Sequence, residues 1–299
     1  MILENRCGSQ IQASILHSGE IFSGYKQFPS LGSSIYAAKP VYGSALESQL
    51  FEWHVSNLEY ANGCNINSLS ALFWDQDDTF VDSENCHLVL QNGNSILVEA
   101  LARGLDIKYE HAVSHIVHSE DDGVQVHCKY GGERQVYHAN TCVVTLPLGV
   151  LKSKSVTFEP SLPHKKLHAI EKLGFGVLNK IIMLFPYIFW DNSTDVIGCL
   201  YDLNESDFRV DQFFCYNRTF GQAVLIGLVT GESAVRLEKM SDEEAEISVM
   251  KDLRRIFRQE QVIPNPIQTI CTRWGSGEQE NTVSTNCFSI VIHSKMIEV

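Results

Sequence analysis

Residues 171–190 read EKLGFGVLNKIIMLFPYIFW, an almost wholly apolar stretch after its first two residues that nevertheless carries Lys180. Leu178, Ile181, Ile182, Met183 and Leu184 surround the lysine, glycines lie upstream at 174 and 176, and Pro186 stands downstream. The run predicts a buried or half-buried strand with Lys180 near its start. An ammonium in such company is costly to desolvate unless it is paired or put to use. Two readings follow. Lys180 is a strand-entrance lysine with its stem packed and its head in water, or its ammonium is held beside a reacting group.

The rest of the chain bounds what that group can be. With 299 residues, 44% of them hydrophobic, the chain can bury a substantial core in one large domain or two ordinary ones. Lysine and arginine number 23 against 36 aspartates and glutamates, a net charge of −13. That balance disfavours direct nucleic-acid binding, which needs a concentrated basic stripe, and suits a basic partner or a cationic small molecule. Nine cysteines are scattered without a C-x-x-C pair, which disfavours a zinc module and a secreted disulfide scaffold and fits a reducing compartment. No metal site is expected. The opening residues lack a basic flank followed by an apolar core, so they do not read as a signal peptide. The longest apolar run, residues 181–190, is about half of the ~20 residues that a membrane span requires, so no membrane association is expected.

Outward from Lys180, helical and strand periods mix without regular βαβ alternation, which predicts an α+β or mixed α/β fold. GSALESQLFEWHVSNLEYA, residues 43–61, spaces Leu46, Leu50, Trp53, His54, Asn57, Leu58 and Ala61 as one face of a helix with Ser44 as N-cap. WDQDD at 74–78 reads as a loop and HLVL at 87–90 as a short strand. A helix from about Ser95 to Arg103 ends at Gly104. Residues 107–147 hold three or four short strands, with hairpin turns at Asp121-Asp122-Gly123 and Gly131-Gly132. A helix follows Pro163, and strands are expected at 195–200, 211–217 and 222–229. SDEEAEISVMKDLRRIFR opens on a capping serine and acidic residues and closes on cations, the polarity that the helix dipole favours, and IQTICTRW forms a last strand.

Three constellations could carry chemistry. Asp75, Asp77 and Asp78 crowd one loop. They lack the glycine and distal glutamate of an EF-hand, and they serve either to attract a cationic substrate or simply to solvate the loop. VVTLPLGVL at 143–151 ends a strand at Thr145 and meets Pro147, where the backbone is free to turn toward a ligand. Lys180 is the third. No G-x-S-x-G elbow is present.

Taken in order, NLEYANG with LSALFWDQDD, ALARGLDIKYEHAVSHI, VVTLPLGVLK, KLGFGVLNKIIMLFPYIFWD, LVTGESA and IQTICTRWGS resemble the flavin-dependent amine oxidase superfamily. Within it the chain is most similar to the lysine-specific histone demethylase branch, in its plant-type form. The resemblance runs from about residue 44 to 276 and implies a substrate domain with a mixed sheet flanked by helices. It implies FAD as cofactor and oxidation of an amine C–N bond, with O2 consumed and H2O2 released. It implies that Lys180 holds a water beside the flavin N5 and that Val113 meets the adenine end through its backbone. Thr145 and Pro147 would line the cofactor channel, and Trp274 would pack near the ring system. Asn57, Asp75, Asp77 and Asp78 would face a basic histone tail or a polyamine-like cation. The branch implies a nuclear location.

The chain departs from the family at both ends. No G-x-G-x-x-G turn is found, since GFGVLN and GSGEQE both lack the third glycine. The reading is therefore a divergent segment at 1–43, a partial amine oxidase domain at 44–276 and a divergent tail at 277–299. The flavin domain is expected to be incomplete and FAD binding weak. The alternatives are an inactive substrate-domain fragment that binds basic peptides, or a polyamine oxidase.

Overall fold

The computed structural model describes residues 29–39, 41–75, 90, 93–201, 208–258, 262–275 and 290–293. In chain order, α1 (Leu31–Ala37), α2 (Ala45–Asn62) and a 3-10 turn (Ile66–Ser68) come first. Then follow α3 (Ser95–Ala102), β1 (Ala112–Ser119), β2 (Gly123–Tyr130), β3 (Glu133–Ala139), β4 (Thr141–Val144), α4 (Leu148–Ser153), β5 (Thr157–Glu159) and α5 (His164–Lys172). The third run is β6 (Asn179–Leu184), β7 (Val196–Gly198), β8 (Gln212–Cys215), α6 (Asn217–Phe220), β9 (Val224–Val229), α7 (Gly231–Leu237), α8 (Asp242–Ile256) and β10 (Gln268–Cys271). The last described element is β11 (Ile290–His293). This is the expected α+β mixture. The chain divides into two compact units, residues 1–91 with 176–276, and residues 92–175 with 277–299.

The first unit is built on a five-stranded antiparallel sheet in the order β10-β6-β9-β8-β7. Alternation sorts its side chains. In β6, Asn179, Ile181 and Met183 are buried while Lys180, Ile182 and Leu184 are half-buried on the opposite face. The buried face joins α7 and α8 in one core, where Ile181, Met183, Leu225 and Phe213 meet Ala234, Leu237, Ala245, Val249 and Leu253. Ala245, Val249 and Leu253 lie four residues apart, so they form one stripe along α8. That helix starts on a complete capping box, Ser241 with Glu244, as the sequence predicted.

A second cluster in the same unit joins Leu31 and Ile35 of α1, Phe51 and Val55 of α2, and Ile66. Here the sequence expectation needs correcting. Ser44 does cap α2 by accepting from the Glu47 N–H, but the buried residues are Phe51 and Val55, and Leu46 is exposed. The helix serves two neighbours at once. Phe51 and Val55 face α1, whereas Trp53 lies over Gly198 of β7 and Tyr60 packs near Phe214 of β8. A single stripe therefore does not describe it.

The second unit holds a four-stranded sheet, β3-β2-β1-β5, in which β5 runs parallel to β1 and the other pairs are antiparallel. Gly131 and Gly132 both adopt positive φ at the β2–β3 turn, the geometry a tight hairpin demands, and Gly123 does so at the start of β2. Its core is small: Ile116, Val124 and Val126 are buried, with Val113, Tyr137, Cys142, Val156 and Phe158 packed against them. β4 pairs with β11. The predicted strand at 87–90 lies outside the described residues except for Leu90. Among the described residues no helix is long and apolar enough to cross a membrane, and no group of His, Cys, Asp or Glu is arranged to hold a metal ion.

Candidate active site

Register decides which way Lys180 faces. In β6 it lies opposite Leu228 of β9, and Leu228 in turn lies opposite Gln212 of β8. The next row on the same face runs Ile270, Ile182, Ile226, Phe214 and Val196, one residue from every strand of the sheet. Lys180 thus stands half-buried at the edge of an apolar face, on the side opposite the core. It is half-buried on the face opposite the core, with Leu228 across from it, so the sequence paradox resolves by alternation.

The segment leading into β6 is fixed from the other side. Gly63 ends α2 in the left-handed conformation, and its N–H and that of Cys64 cap the carbonyls of Tyr60 and Glu59. Gly176 packs so closely on this cap that a Cβ there would collide with the Gly63 carbonyl and approach Cys64 Cβ to 2.5 Å. The glycine of GFGVLNK is therefore needed for close approach, and the segment runs into a strand rather than a helix. It is not a dinucleotide-binding turn.

Trp274 follows β10 and is 61% exposed, with its backbone N–H donating to Asn179 Oδ1 at 3.2 Å. Lys180 and Trp274 therefore belong to one hydrogen-bonded corner of the first unit. Asn57 is half-buried on α2 in that unit, and Asp75 is half-buried at the end of the turn after the 3-10 helix, next to Trp74, which packs on the second cluster. Asp77 and Asp78 lie outside the described residues.

The other predicted cofactor residues belong to the second unit. Val113 sits on β1 at a register irregularity between Val113 and His115, with its side chain packed on the core of that sheet. Thr145 is exposed just beyond β4, next to exposed Val143 and Val144. Pro147 is half-buried and starts α4, a position whose lack of an N–H costs the helix nothing.

Sequence reasoning passed over a set of buried acids in the first unit. Asp211 is buried, its Oδ2 accepts from the Thr230 hydroxyl at 2.6 Å, and desolvation pushes its pKa up to about 7. Desolvation also raises Glu59, which accepts from the Ile66 N–H at 2.7 Å, and Asp252, which accepts from the Tyr201 hydroxyl at 2.8 Å. Among the described residues the cysteines offer no activated nucleophile: burial pushes Cys215 up to about 11 and Cys271 up to about 12.

Exposed Trp274 in the first unit is a planar surface of the kind on which the ring system of a flavin dinucleotide can pack. No strand–glycine-turn–helix cradle for its pyrophosphate occurs among the described residues.

Residues 7–291 match the flavin containing amine oxidoreductase family. The chain is similar to Lysine-specific histone demethylase 1 homolog 2 of Arabidopsis thaliana, 43% identical over 264 residues, which is 86% of this chain and 34% of that protein. It is 42% identical over 251 residues to the protein of the same name from Oryza sativa subsp. japonica, covering 83% of this chain and 32% of that protein. Protein FLOWERING LOCUS D of Arabidopsis thaliana is 41% identical over 252 residues, 82% of this chain and 31% of its own length. The chain thus spans about a third of these relatives. Its fold is similar to that of a putrescine oxidase bound to putrescine, with a TM-score of 0.60 at 15% identity, covering 91% of this chain and 62% of that one.

Proposed function

The chain belongs to the flavin containing amine oxidoreductase family, and from that premise we propose that it supplies the amine-side machinery of an FAD-dependent histone lysine demethylase. The family is flavin-containing, so FAD is the cofactor. When bound, FAD would supply the two-electron oxidation of an amine C–N bond to an imine, with O2 reduced to H2O2. What remains for the protein is to bind, orient and exclude water.

The observation that carries this reading is the placement of Lys180. It lies half-buried on an apolar sheet face, and its backbone N–H shares a hydrogen-bonded network with that of Trp274. Its three N–H donors can hold and orient a water at the ring edge, while Leu228 and Ile182 beside it limit access of bulk solvent. Trp274 offers a planar face for ring packing. Thr145 and Pro147 would line the channel, and the backbone at the Val113 irregularity would meet the adenine.

The substrate is a methylated lysine in a basic histone tail. The similarity to histone demethylases favours it over a polyamine, since the likeness to putrescine oxidase is one of fold alone. A net charge of −13 raises the local concentration of cations, and Asn57, Asp75, Asp77 and Asp78 are the residues assigned to the substrate. A nuclear location follows from the same reading.

The decisive experiment uses a flavin-loaded preparation of the longer protein or of this chain complemented by the remaining flavin-binding segments. Lys180→Met keeps the unbranched stem and removes the ammonium, and flavin turnover is expected to fall by about two orders of magnitude or more. Near-wild-type turnover would return Lys180 to a packing role. Turnover on a polyamine but not on a dimethyl-lysine peptide would reverse the substrate assignment.

A further inference from the structure

Asn179 is fully buried, with 0% exposure, in the core face of β6, where an aliphatic residue would satisfy the strand. It spends every hydrogen-bonding position of its carboxamide. Nδ2 donates to Glu238 Oε1 at 2.6 Å and to the Ala234 carbonyl at 3.5 Å, both at the end of α7. Oδ1 accepts from the Thr272 hydroxyl and from the Trp274 N–H, each at 3.2 Å. Two donors and two acceptors are what a carboxamide owns, so the group is saturated and its orientation is fixed by its partners.

The partners lock one another. Thr272 Oγ1 accepts from the Lys180 N–H at 2.8 Å while its own proton goes to Asn179, and the Thr272 N–H donates to the Lys180 carbonyl at 2.9 Å. Glu238 Oε1 takes a second donor, the Gly275 N–H at 3.0 Å. Between them Arg273 is tied to Asp242 Oδ1 and to the Met240 carbonyl, both at 2.7 Å. Each residue from 272 to 275 is therefore held, although β10 itself has ended at Cys271. A chain leaving a sheet ordinarily gains freedom. This one is pinned at the point where Trp274 emerges, and by the same group that neighbours Lys180.

We propose that Asn179 is a positioning residue, with Glu238 as its anchor and Thr272 as its relay, which sets Lys180 and Trp274 in fixed relation for the flavin reaction. The inference rests on the proposed function for the roles of Lys180 and Trp274. The geometry of the lock is independent of it. An aliphatic residue at 179 would fill the core but leave the Trp274 N–H and Glu238 without this partner. Asn179→Asp would set a second carboxylate where the 2.6 Å donor stands.

The test reads the lock in the chain without flavin. The chain has four tryptophans, and Trp274→Phe assigns the Trp274 indole resonance. Asn179→Asp is expected to shift that resonance and to accelerate amide exchange at 272–275 by about tenfold or more, the ratio that one net hydrogen bond is worth. Glu238→Gln added to Asn179→Asp supplies a donor from the other side and is expected to restore the indole resonance and the exchange at 272–274, but not at Gly275, whose N–H loses the Oε1 acceptor it shares with residue 179. Should Asn179→Asp fail to fold, Thr272→Val decides, since it keeps the shape and removes only the relay. An unshifted indole in either folded single variant overturns the proposal, and so does a double variant that stays displaced. In a flavin-loaded preparation Asn179→Asp is expected to lower kcat with KM unchanged. A displaced Trp274 with unchanged kcat also overturns the positioning role. If Lys180→Met leaves turnover intact while the flavin-free signals behave as expected, it is the proposed function that fails and the lock that stands.

Discussion

The five-stranded sheet buries one whole face beneath α7 and α8, in a cluster of 20 buried residues that runs from Ile181 to Cys271. Among the described residues the core cluster on the four-stranded sheet of the other unit gathers three, Ile116, Val124 and Val126, and α3 buries none of its residues. In α3, Ile96, Leu97, Val98 and Leu101 are between 44% and 70% exposed. Both units are rich in apolar side chains, so hydrophobic content does not set the depth of a core. Layering does: a sheet face becomes a deep core only when an amphipathic element lies across it. The first unit has two such helices on its core face, and Lys180 was left to the opposite face.

Substitutions in the two cores test that contrast most directly. Phe213→Ala, at a side chain with 0% exposure against Gly227, is expected to destabilise the first unit by about 3–5 kcal/mol. Urea unfolding of the whole chain followed by amide exchange should place the loss in residues 176–275. Val126→Ala in the shallow core is expected to cost less, about 1–3 kcal/mol, and to leave exchange in 176–275 unchanged. Equal losses would abolish the distinction.

Acidity sharpens it next. Asp211 has its pKa raised from 3.8 to about 7, chiefly by desolvation, so the folded unit binds its proton more tightly than the unfolded chain does. The sign follows: this carboxyl stabilises fully below about pH 4, and the contribution is lost as pH rises through about 7. Asp211→Asn is therefore expected to flatten the fall of stability between those limits, by on the order of 4 kcal/mol at most. The readout is the difference between the two proteins' stability–pH curves, because Glu59 and Asp252 shift in the same direction and remain in both. Parallel curves would show that Asp211 ionises in place at little cost.

Smaller effects are expected where local structure alone is at stake. Ser241→Ala removes half of the α8 capping box and is expected to cost about 1 kcal/mol, read as a lower Tm. FAD titrated into the 299-residue chain is expected to bind no tighter than about 10 μM, since the described residues form no cradle for its pyrophosphate, whose several charge-assisted hydrogen bonds dominate such sites. Submicromolar stoichiometric binding would show that a phosphate site exists elsewhere in the chain.

Much was legible in the order of residues. Ser44 and Ser241 announced their helices because an N-cap acts on N–H groups two or three residues away. The hairpin at Gly131-Gly132 and the strand through Lys180 were likewise local facts of turn geometry and alternation. The ordered blocks carried the family. Short helices escaped: α4 and α7 have six and seven residues, under two turns or barely two, too few for a 3.6-residue period to declare itself. The buried stripe of α2 was misassigned because that helix faces two neighbours, and one-dimensional periodicity assumes one.

The lock on Asn179 could not be read from sequence at all. Its partners Glu238, Thr272 and Trp274 are 59, 93 and 95 residues away, and nothing in LNK distinguishes a saturated carboxamide from a turn residue. Which face of β6 the lysine takes was equally undetermined, since a shift of one residue in register would have exchanged Lys180 with its buried neighbours. The sequence by itself determined the strand, the cation and the glycine before them, because each depends on residues in immediate succession. Only the tertiary structure decided that the cation lies on the sheet face opposite the core, that Gly176 must clear the α2 cap, and that the exit of β10 is pinned beside it, because those facts depend on which distant backbone lies across the sheet.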